Sequence, residues 1–436
     1  MEKMKTKNTM LIAVLPIGEF DTDLVKNEVD AIIRAFDHLD TDLIVADPVS
    51  NKEAAQESVQ GLSEKSPDLL LLIVMRGLSA ETIEAAAQTS PVPCLICPLQ
   101  GRFALPSSAL AVGALHETKI PVELLYAPPD HPDFIGRLGR IVNAARAFSR
   151  LRKSRIGVIG DLFPNLVSCR YDPQIVNSRL GVTLLPISFE SVRRSMQTSA
   201  ELPKPFEQAY KQITGFYKVD AAVENVLDAS IKLHLALKRL ALEQKLDGFA
   251  TECWSGFPRE LGVNPCLGFI DDAYALACEG DVMLCISLLI VRNLTGKSAF
   301  VGDLYDVDLD GILTLTHCGA PASLASNSSE LVLAKSQLAL ERGFETMTCR
   351  PRLELGPVTV FRFYGQQCDR LHMSSGDLIS CEQSPNLTAK VRINADRWEF
   401  LDQCFGNHYL VVAGDIRSEL RLLCKWLGIT IFGAKE

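Results

Sequence analysis

The first 125 residues alternate short apolar runs with stretches of helical period, and few architectures accommodate that alternation. Runs at 10–16, 42–46, 69–75, 92–97 and 122–126 read as buried strands. Segments 24–36, 52–62 and 79–88 carry apolar residues at helical spacing between them. Continuous apolar strands separated by helices predict a parallel sheet covered on both faces. Loops beyond the C-terminal strand ends of such sheets bind ligands. Arg76-Gly77 and the Gln100-Gly-Arg102 segment lie at such ends.

Prolines 128, 129 and 132 mark a boundary, followed by an amphipathic helix over 134–152. A second α/β unit starts with the strand-like 155–160, continues through a strand over 181–186 and a helix over 221–244, and reaches a strand over 246–251. That last strand delivers Glu252 and Trp254 to its C-terminal edge. The turn at Gly157 and Gly160 lacks the remaining glycines of a dinucleotide-binding loop, which argues against a nucleotide-dependent enzyme. Beyond Asp303 the texture changes. Short strand-like segments at 312–316, 331–334, 358–363, 370–373 and 390–393 are separated by Gly, Ser, Asn and Asp, a pattern that predicts an antiparallel, barrel-like domain. A helix over 417–427 is expected to close it. The fold class expected is therefore α/β, with two doubly wound parallel-sheet domains (1–150 and 151–305) followed by a smaller antiparallel β-barrel-like domain (306–436).

At 436 residues the chain exceeds a single ordinary core. A net charge of −9 and a pI near 5.4 exclude nucleic acid as an expected partner, because phosphate binding needs clustered cations. The thirteen cysteines are scattered and often sit inside apolar runs, where they act as small hydrophobes. The apolar 10–17 after a short polar start mimics a leader peptide, but it runs into acidic residues and reads better as the first strand. No apolar run reaches membrane-spanning length, and the expected compartment is the cytoplasm.

Four residues carry the chemistry. Glu279 sits in Ala-Cys-Glu-Gly-Asp (277–281) before a long apolar run, and Asp303 ends Phe-Val-Gly-Asp (300–303). His317 opens His-Cys-Gly (317–319), and His408 precedes the apolar 410–412. Two carboxylates and two imidazoles at the edges of apolar segments can form an oxygen- and nitrogen-rich site for Mn²⁺, Fe²⁺, Co²⁺ or Zn²⁺. Each also has a plain reading: a charge answering a helix dipole, a strand-end turn residue, or a structural histidine. Glu252 is either a hydroxyl-binding carboxylate or a strand-end cap; Trp254 is either a sugar-facing wall or a core aromatic.

These motifs, together with Glu-Cys-Trp (252–254), Asn-Pro-Cys (264–266) and the stretch 294–303, resemble the core of the L-fucose isomerase and L-arabinose isomerase superfamily. Segments 99–102, 106–110 and 120–122 resemble its first domain more loosely. The resemblance implies an aldose–ketose isomerase in which Glu279 and Asp303 bind a divalent metal, Mn²⁺, and act as the acid–base pair. It implies that His408 completes the metal site, with His317 as a further ligand. Glu252, Trp254, Gln100 and Arg102 are then the substrate-binding candidates. It also implies a small-molecule sugar as substrate and a homo-oligomer, trimer or hexamer. A modified sugar with an acidic, deoxy or sulfonate group fits the same site, and so does a sugar-binding protein that has lost turnover.

Overall fold

The computed structural model describes residues 9–433, apart from 78, 201–202, 271–272, 328–330, 336–342 and 345. The leader-like residues 1–8 lie outside the described residues, and the apolar run after them is strand β1. The chain divides into two compact units, one of 1–149 with 418–428 and one of 150–417 with 429–436.

The first unit holds the parallel sheet expected from the alternation. Its strands are β1 (Met10–Ile17), β2 (Thr41–Val45), β3 (Leu69–Val74), β4 (Cys94–Pro98) and β5 (Val122–Leu124), in the order β2-β1-β3-β4-β5. Every residue of β3 and β4 is buried, as strands with helices on both faces must be. Thr22 and Asn51 start the first two helices, accepting from the Val25 and Ala54 amides at 3.3 and 2.9 Å. After β4 the backbone makes a left-handed passage: Gly101, Arg102 and Phe103 have φ of 74, 57 and 56°. That passage lays Arg102 O on the Gly77 amide at 2.7 Å. A Cβ on Gly77 would come within 2.6 Å of Phe103 Cβ, so only glycine fits there.

The helix Arg417–Leu427 differs from expectation: residues 418–428 pack into the first unit instead of closing the barrel. Its stripe of Leu420, Leu423, Cys424 and Leu427 is buried, Trp426 meets Phe148 edge-on at 6.2 Å, and Lys425 pairs with the nearly buried Glu123 of β5 at 2.7 Å. A carboxylate that far from water needs a cation, and Lys425 supplies it.

The second unit starts with another parallel sheet. Here β6 (Arg155–Ile159), β7 (Thr183–Pro186), β9 (Gly248–Thr251) and β10 (Ala275–Ala277) run in the order β10-β9-β6-β7. The helix Val282–Thr295 follows; it is apolar almost all round and correspondingly buried. Next comes a closed antiparallel barrel of β11 (Phe300–Val307), β12 (Ile312–His317), β15 (Gly356–Tyr364), β16 (Arg370–Glu382), β17 (Leu387–Ile393) and β18 (His408–Ala413). The order β15-β18-β11-β12-β17-β16 closes through β15–β16 pairing, and β19 (Thr430–Phe432) adds to β16. One segment assigned from sequence texture to the barrel-like domain, 331–334, lies elsewhere. β13 (Val332–Lys335) and β14 (Met347–Arg350) form a small sheet with β8 (Lys218–Val219). Leu333, Met347 and Cys349 point into the core around Phe249 of the second sheet, which holds them away from the barrel interior.

Candidate active site

Three short pieces of chain meet at the C-terminal edge of β9 and β10 and the mouth of the barrel. The first is the turn after β10. Glu279 has φ of 59° and Gly280 of 70°, which reverses the chain sharply before the buried helix. A Cβ on Gly280 would collide with the Asp161 carbonyl, so the turn requires glycine. The Glu279 backbone is held on both sides: its carbonyl accepts from the Phe163 amide at 2.8 Å, and its amide donates to Cys253 Sγ at 3.4 Å. The next residue, Asp281, caps the helix through Oδ1, accepting from the Leu284 amide at 2.9 Å.

The second and third pieces are adjacent barrel strands. Antiparallel pairing of β11 with β18 sets Asp303 directly opposite His408. Cross-strand neighbours of this kind have side chains in reach of one another. Asn407 completes the corner by donating from Nδ2 to Asp303 Oδ1 at 2.6 Å.

His408 is the hub. It is buried, and Nδ1 donates to Asp281 Oδ2 at 2.9 Å. That leaves Nε2 with no hydrogen-bond partner among the described residues, although Asp303 Oδ1 lies 3.5 Å away and Glu279 Oε2 3.6 Å away. Burial opposes charge on the ring, but the Asp281 hydrogen bond and the carboxylates around it push its pKa up to about 10. Burial likewise works against the Asp281 carboxylate, yet His408 and Arg362 pull it down to about 2. Arg362, from β15, is buried beside this pair: it lies 3.7 Å from Asp281 Oδ2 and donates to His408 O at 2.7 Å and Cys169 Sγ at 2.8 Å.

The unpaired nitrogen facing two carboxylates is the test of whether a metal fits. Ligand atoms about 2.1 Å from an ion and at right angles to each other lie about 3 Å apart, and Nε2 lies 3.6 and 3.5 Å from one oxygen of each carboxylate. A carboxylate on the far ring nitrogen is the usual way a metal-binding histidine is oriented. Among the described residues, the group of three whose ligand atoms all lie within 4.8 Å of one another is Cys169, Asp281 and His408. In that group Asp281 and His408 Nδ1 already satisfy each other, and the Arg362 guanidinium occupies the place a cation would take. His408 Nε2, by contrast, has no hydrogen-bond partner among the described residues.

The space in front of this set is a cavity of about 510 Å³, lined among others by Phe163, Trp254, Asn264, Glu279, Asp303, His317 and Asn407. Trp254 stands edge-on to Phe163 with ring centroids 4.3 Å apart, an aromatic wall of the kind that carries an apolar sugar face. His317 is buried; its Nδ1 bonds to the Gly319 carbonyl at 3.1 Å, so the proton sits there and Nε2 is an acceptor. Burial lowers its pKa, which keeps the ring neutral. Among the described residues, no Lys or Arg lines the cavity.

Glu252 turns away from this cavity. Its carboxylate accepts from the Asp161 amide at 3.0 Å and the Ser255 hydroxyl at 2.5 Å, tying together the loops after β6 and β9. Gln100 and Arg102 belong to the first unit, in the left-handed loop after β4; Gln100 is exposed and Arg102 makes a loose pair with Asp21 at 3.9 Å. Sequence reasoning missed Asp281 and Arg362. The signal for Arg362 was available: a guanidinium inside the otherwise apolar run 358–364 has to be paired.

Comparison with known proteins is consistent with that resemblance. The chain is 28% identical over 327 residues to proteins named sulfoquinovose isomerase from Priestia aryabhattai and Priestia megaterium, covering 71% of this chain and 71% of each of theirs. It is 24% identical over 345 residues to a sulfoquinovose isomerase from a Clostridium species, covering 74% of this chain and 73% of that one. No family model matches the chain.

Proposed function

We propose that this protein is a metal-dependent aldose–ketose isomerase acting on a sulfonated sugar, with the divalent ion, Mn²⁺ by preference, held by Glu279, Asp303 and His408. The observation that carries the reading is the buried His408 Nε2, oriented by Asp281 and close to two carboxylates that line an open cavity. When bound, the ion supplies Lewis acidity toward the carbonyl and hydroxyl oxygens that exchange roles in such a reaction. The chain's own residues do the rest. Glu279 and Asp303 sit on two sides of the same nitrogen, so one can take a proton from the sugar carbon while the other passes a proton between the neighbouring oxygens. Their unequal exposure, 18% for Glu279 and 31% for Asp303, gives the two carboxyl groups different surroundings, as an acid and a base need. His317, neutral and with Nε2 as acceptor, is a further ligand or a hydrogen-bond partner for a sugar hydroxyl. Trp254 is the apolar wall.

The sulfonated substrate comes from the names of the relatives. Among the described residues, those lining the cavity include no Lys or Arg to meet a sulfonate. Gln100 and Arg102 are therefore kept as proposed substrate-binding groups, and a homo-oligomer, trimer or hexamer, belongs to the same proposal. Light scattering tests the latter. The experiment for the function is an isomerase assay with sulfoquinovose, glucose and L-fucose, before and after EDTA and with Mn²⁺ restored. Turnover of sulfoquinovose that disappears with EDTA and returns with Mn²⁺ supports the proposal; metal-free turnover, or none on any sugar, removes it. In D₂O, deuterium on the carbon beside the new carbonyl or hydroxyl marks a carboxylate base exchanging with water, whereas unlabelled product leaves Glu279 and Asp303 as ligands only. Arg102→Ala should raise KM for sulfoquinovose more than for glucose; equal effects would take the sulfonate away from Arg102.

A further inference from the structure

Asn264, in the Asn-Pro-Cys segment 264–266, lines the same cavity as Glu279, Asp303 and Trp254. The chain anchors it on both sides. Gly262 ends the helix Gly256–Leu261 with φ of 72°, Val263 is fully buried, and Pro265 disfavours helical backbone at the residue before it. The 3₁₀ turn Pro265–Ile270 follows, with Cys266, Leu267 and Phe269 packed into the core around Phe249. A backbone held in this way fixes where the amide can reach. Asn264 is 4% exposed, and its Oδ1 has no hydrogen-bond partner among the described residues. Other polar groups of the same wall are engaged: Asn407 donates to Asp303, and Nδ1 of His317 is bonded to the Gly319 carbonyl. A buried acceptor without a donor costs stability. A chain that keeps one in the wall of a cavity of about 510 Å³, large enough for a small molecule, keeps it for a ligand that brings the donor.

We propose that Asn264 is a specificity-determining residue: its Oδ1 accepts from one hydroxyl of a sugar whose apolar face lies on Trp254. The chemistry of the partners sets the orientation. An ionised sulfonate has acceptor oxygens and no proton, so it has nothing to give Oδ1, whereas every sugar hydroxyl has. The hydroxylated edge of the substrate therefore turns to Asn264, and a sulfonate points elsewhere. That agrees with the absence of Lys and Arg among the described lining residues. Selection follows directly. A sugar lacking the matching hydroxyl leaves Oδ1 buried and unpaired, and loses more than the contact itself. Asn264 moves no proton; it decides which sugar is presented to Glu279 and Asp303. Its effect on turnover rests on the isomerase reading, but its contact with a hydroxyl does not.

The test is calorimetric binding of sulfoquinovose and its monodeoxy analogues to the whole protein and to Asn264→Leu, which keeps the size of the side chain and removes the acceptor. The variant should bind sulfoquinovose about 10-fold more weakly or worse, the worth of a neutral hydrogen bond. One monodeoxy analogue should be weakened on the unmutated protein and no further on the variant, because both changes delete the same contact. Without ligand, the urea midpoint of Asn264→Leu should match or exceed that of the unmutated protein, since an unpaired buried acceptor has been replaced by an apolar group. A crystal of the unmutated protein soaked in sulfoquinovose should show a sugar hydroxyl on Oδ1, which reads the contact even where the variant fails to fold. Unaltered affinity in the folded variant, a lower midpoint, losses that add for every analogue, or the sulfonate seated on Asn264 would each overturn the proposal. Turnover by the unmutated protein separates the two readings. Sugar bound on Asn264 without turnover removes the isomerase and supports the contact; turnover that Asn264→Leu leaves unchanged removes the contact alone. No sugar bound at all would overturn both.

Discussion

At the scale of single residues, burial decides which groups are chemical and which are structural. Glu279 and Asp303 keep access to the cavity, so Glu279→Gln and Asp303→Asn preserve shape and remove only charge. Each is expected to lower kcat by about 100-fold or more, the usual cost of losing a general base, with an unchanged circular dichroism spectrum. Loss of activity accompanied by loss of the folded spectrum would mean that the charge serves the fold instead. His372 gives a contrasting case away from the site. It is buried in β16 with Nδ1 2.7 Å from the Tyr409 hydroxyl, and burial lowers its pKa from 6.5 to about 4. Below pH 6.5 the unfolded imidazole takes a proton that the folded one refuses, so stability falls as pH drops from 6.5 toward 4. The loss at pH 5 should be about 2 kcal/mol. Urea midpoints at pH 5 and 7, for the protein and for His372→Gln, check this: the variant should show the smaller difference. Equal differences would assign the acid sensitivity to other groups.

At the scale of elements, the site is made by one turn and one strand pair. The turn after β10 needs Gly280 in the left-handed region, so Gly280→Ala is expected to cost about 2 kcal/mol or more and to impair turnover by moving Glu279. Denaturant unfolding together with kcat measures both, and a variant with normal stability and activity would show that the turn is tolerant. Much of this level was legible in the sequence. Glu279 and Asp303 stood at the edges of apolar segments, and those segments are the helix Val282–Thr295 and strand β11. The pairing of Asp303 with His408 was not legible, because register between distant strands is set by closure of the barrel and not by local pattern. Glu252 shows the opposite limit. A strand-end acid reads equally well as a ligand or as a cap, and only the positions of Asp161 and Ser255 reveal that its carboxylate is already engaged. The helix 417–427 was visible as an amphipathic stripe, but the surface that covers it was not, since Glu123 gave no sign of being a buried charge.

At the scale of the whole molecule, all three proposed ligands belong to the second unit, drawn from its parallel sheet and its barrel. An ion that ties those two together should stabilise that unit by mass action, by about 2.7 kcal/mol at 100 times Kd. Hydrogen exchange with and without Mn²⁺ is expected to slow in residues 277–284, 300–304 and 407–411 and to stay unchanged in strands β1 to β5; uniform slowing over the chain, or none, would contradict ligation at this place. Where the ion binds is read out by anomalous scattering from a crystal of the protein soaked in Mn²⁺. One strong peak is expected, bonded to His408 Nε2 and to carboxylate oxygens of Glu279 and Asp303, with His408 Nδ1 still on Asp281. A peak bonded to Cys169 and Asp281, or no peak near His408 at full soaking, would contradict it.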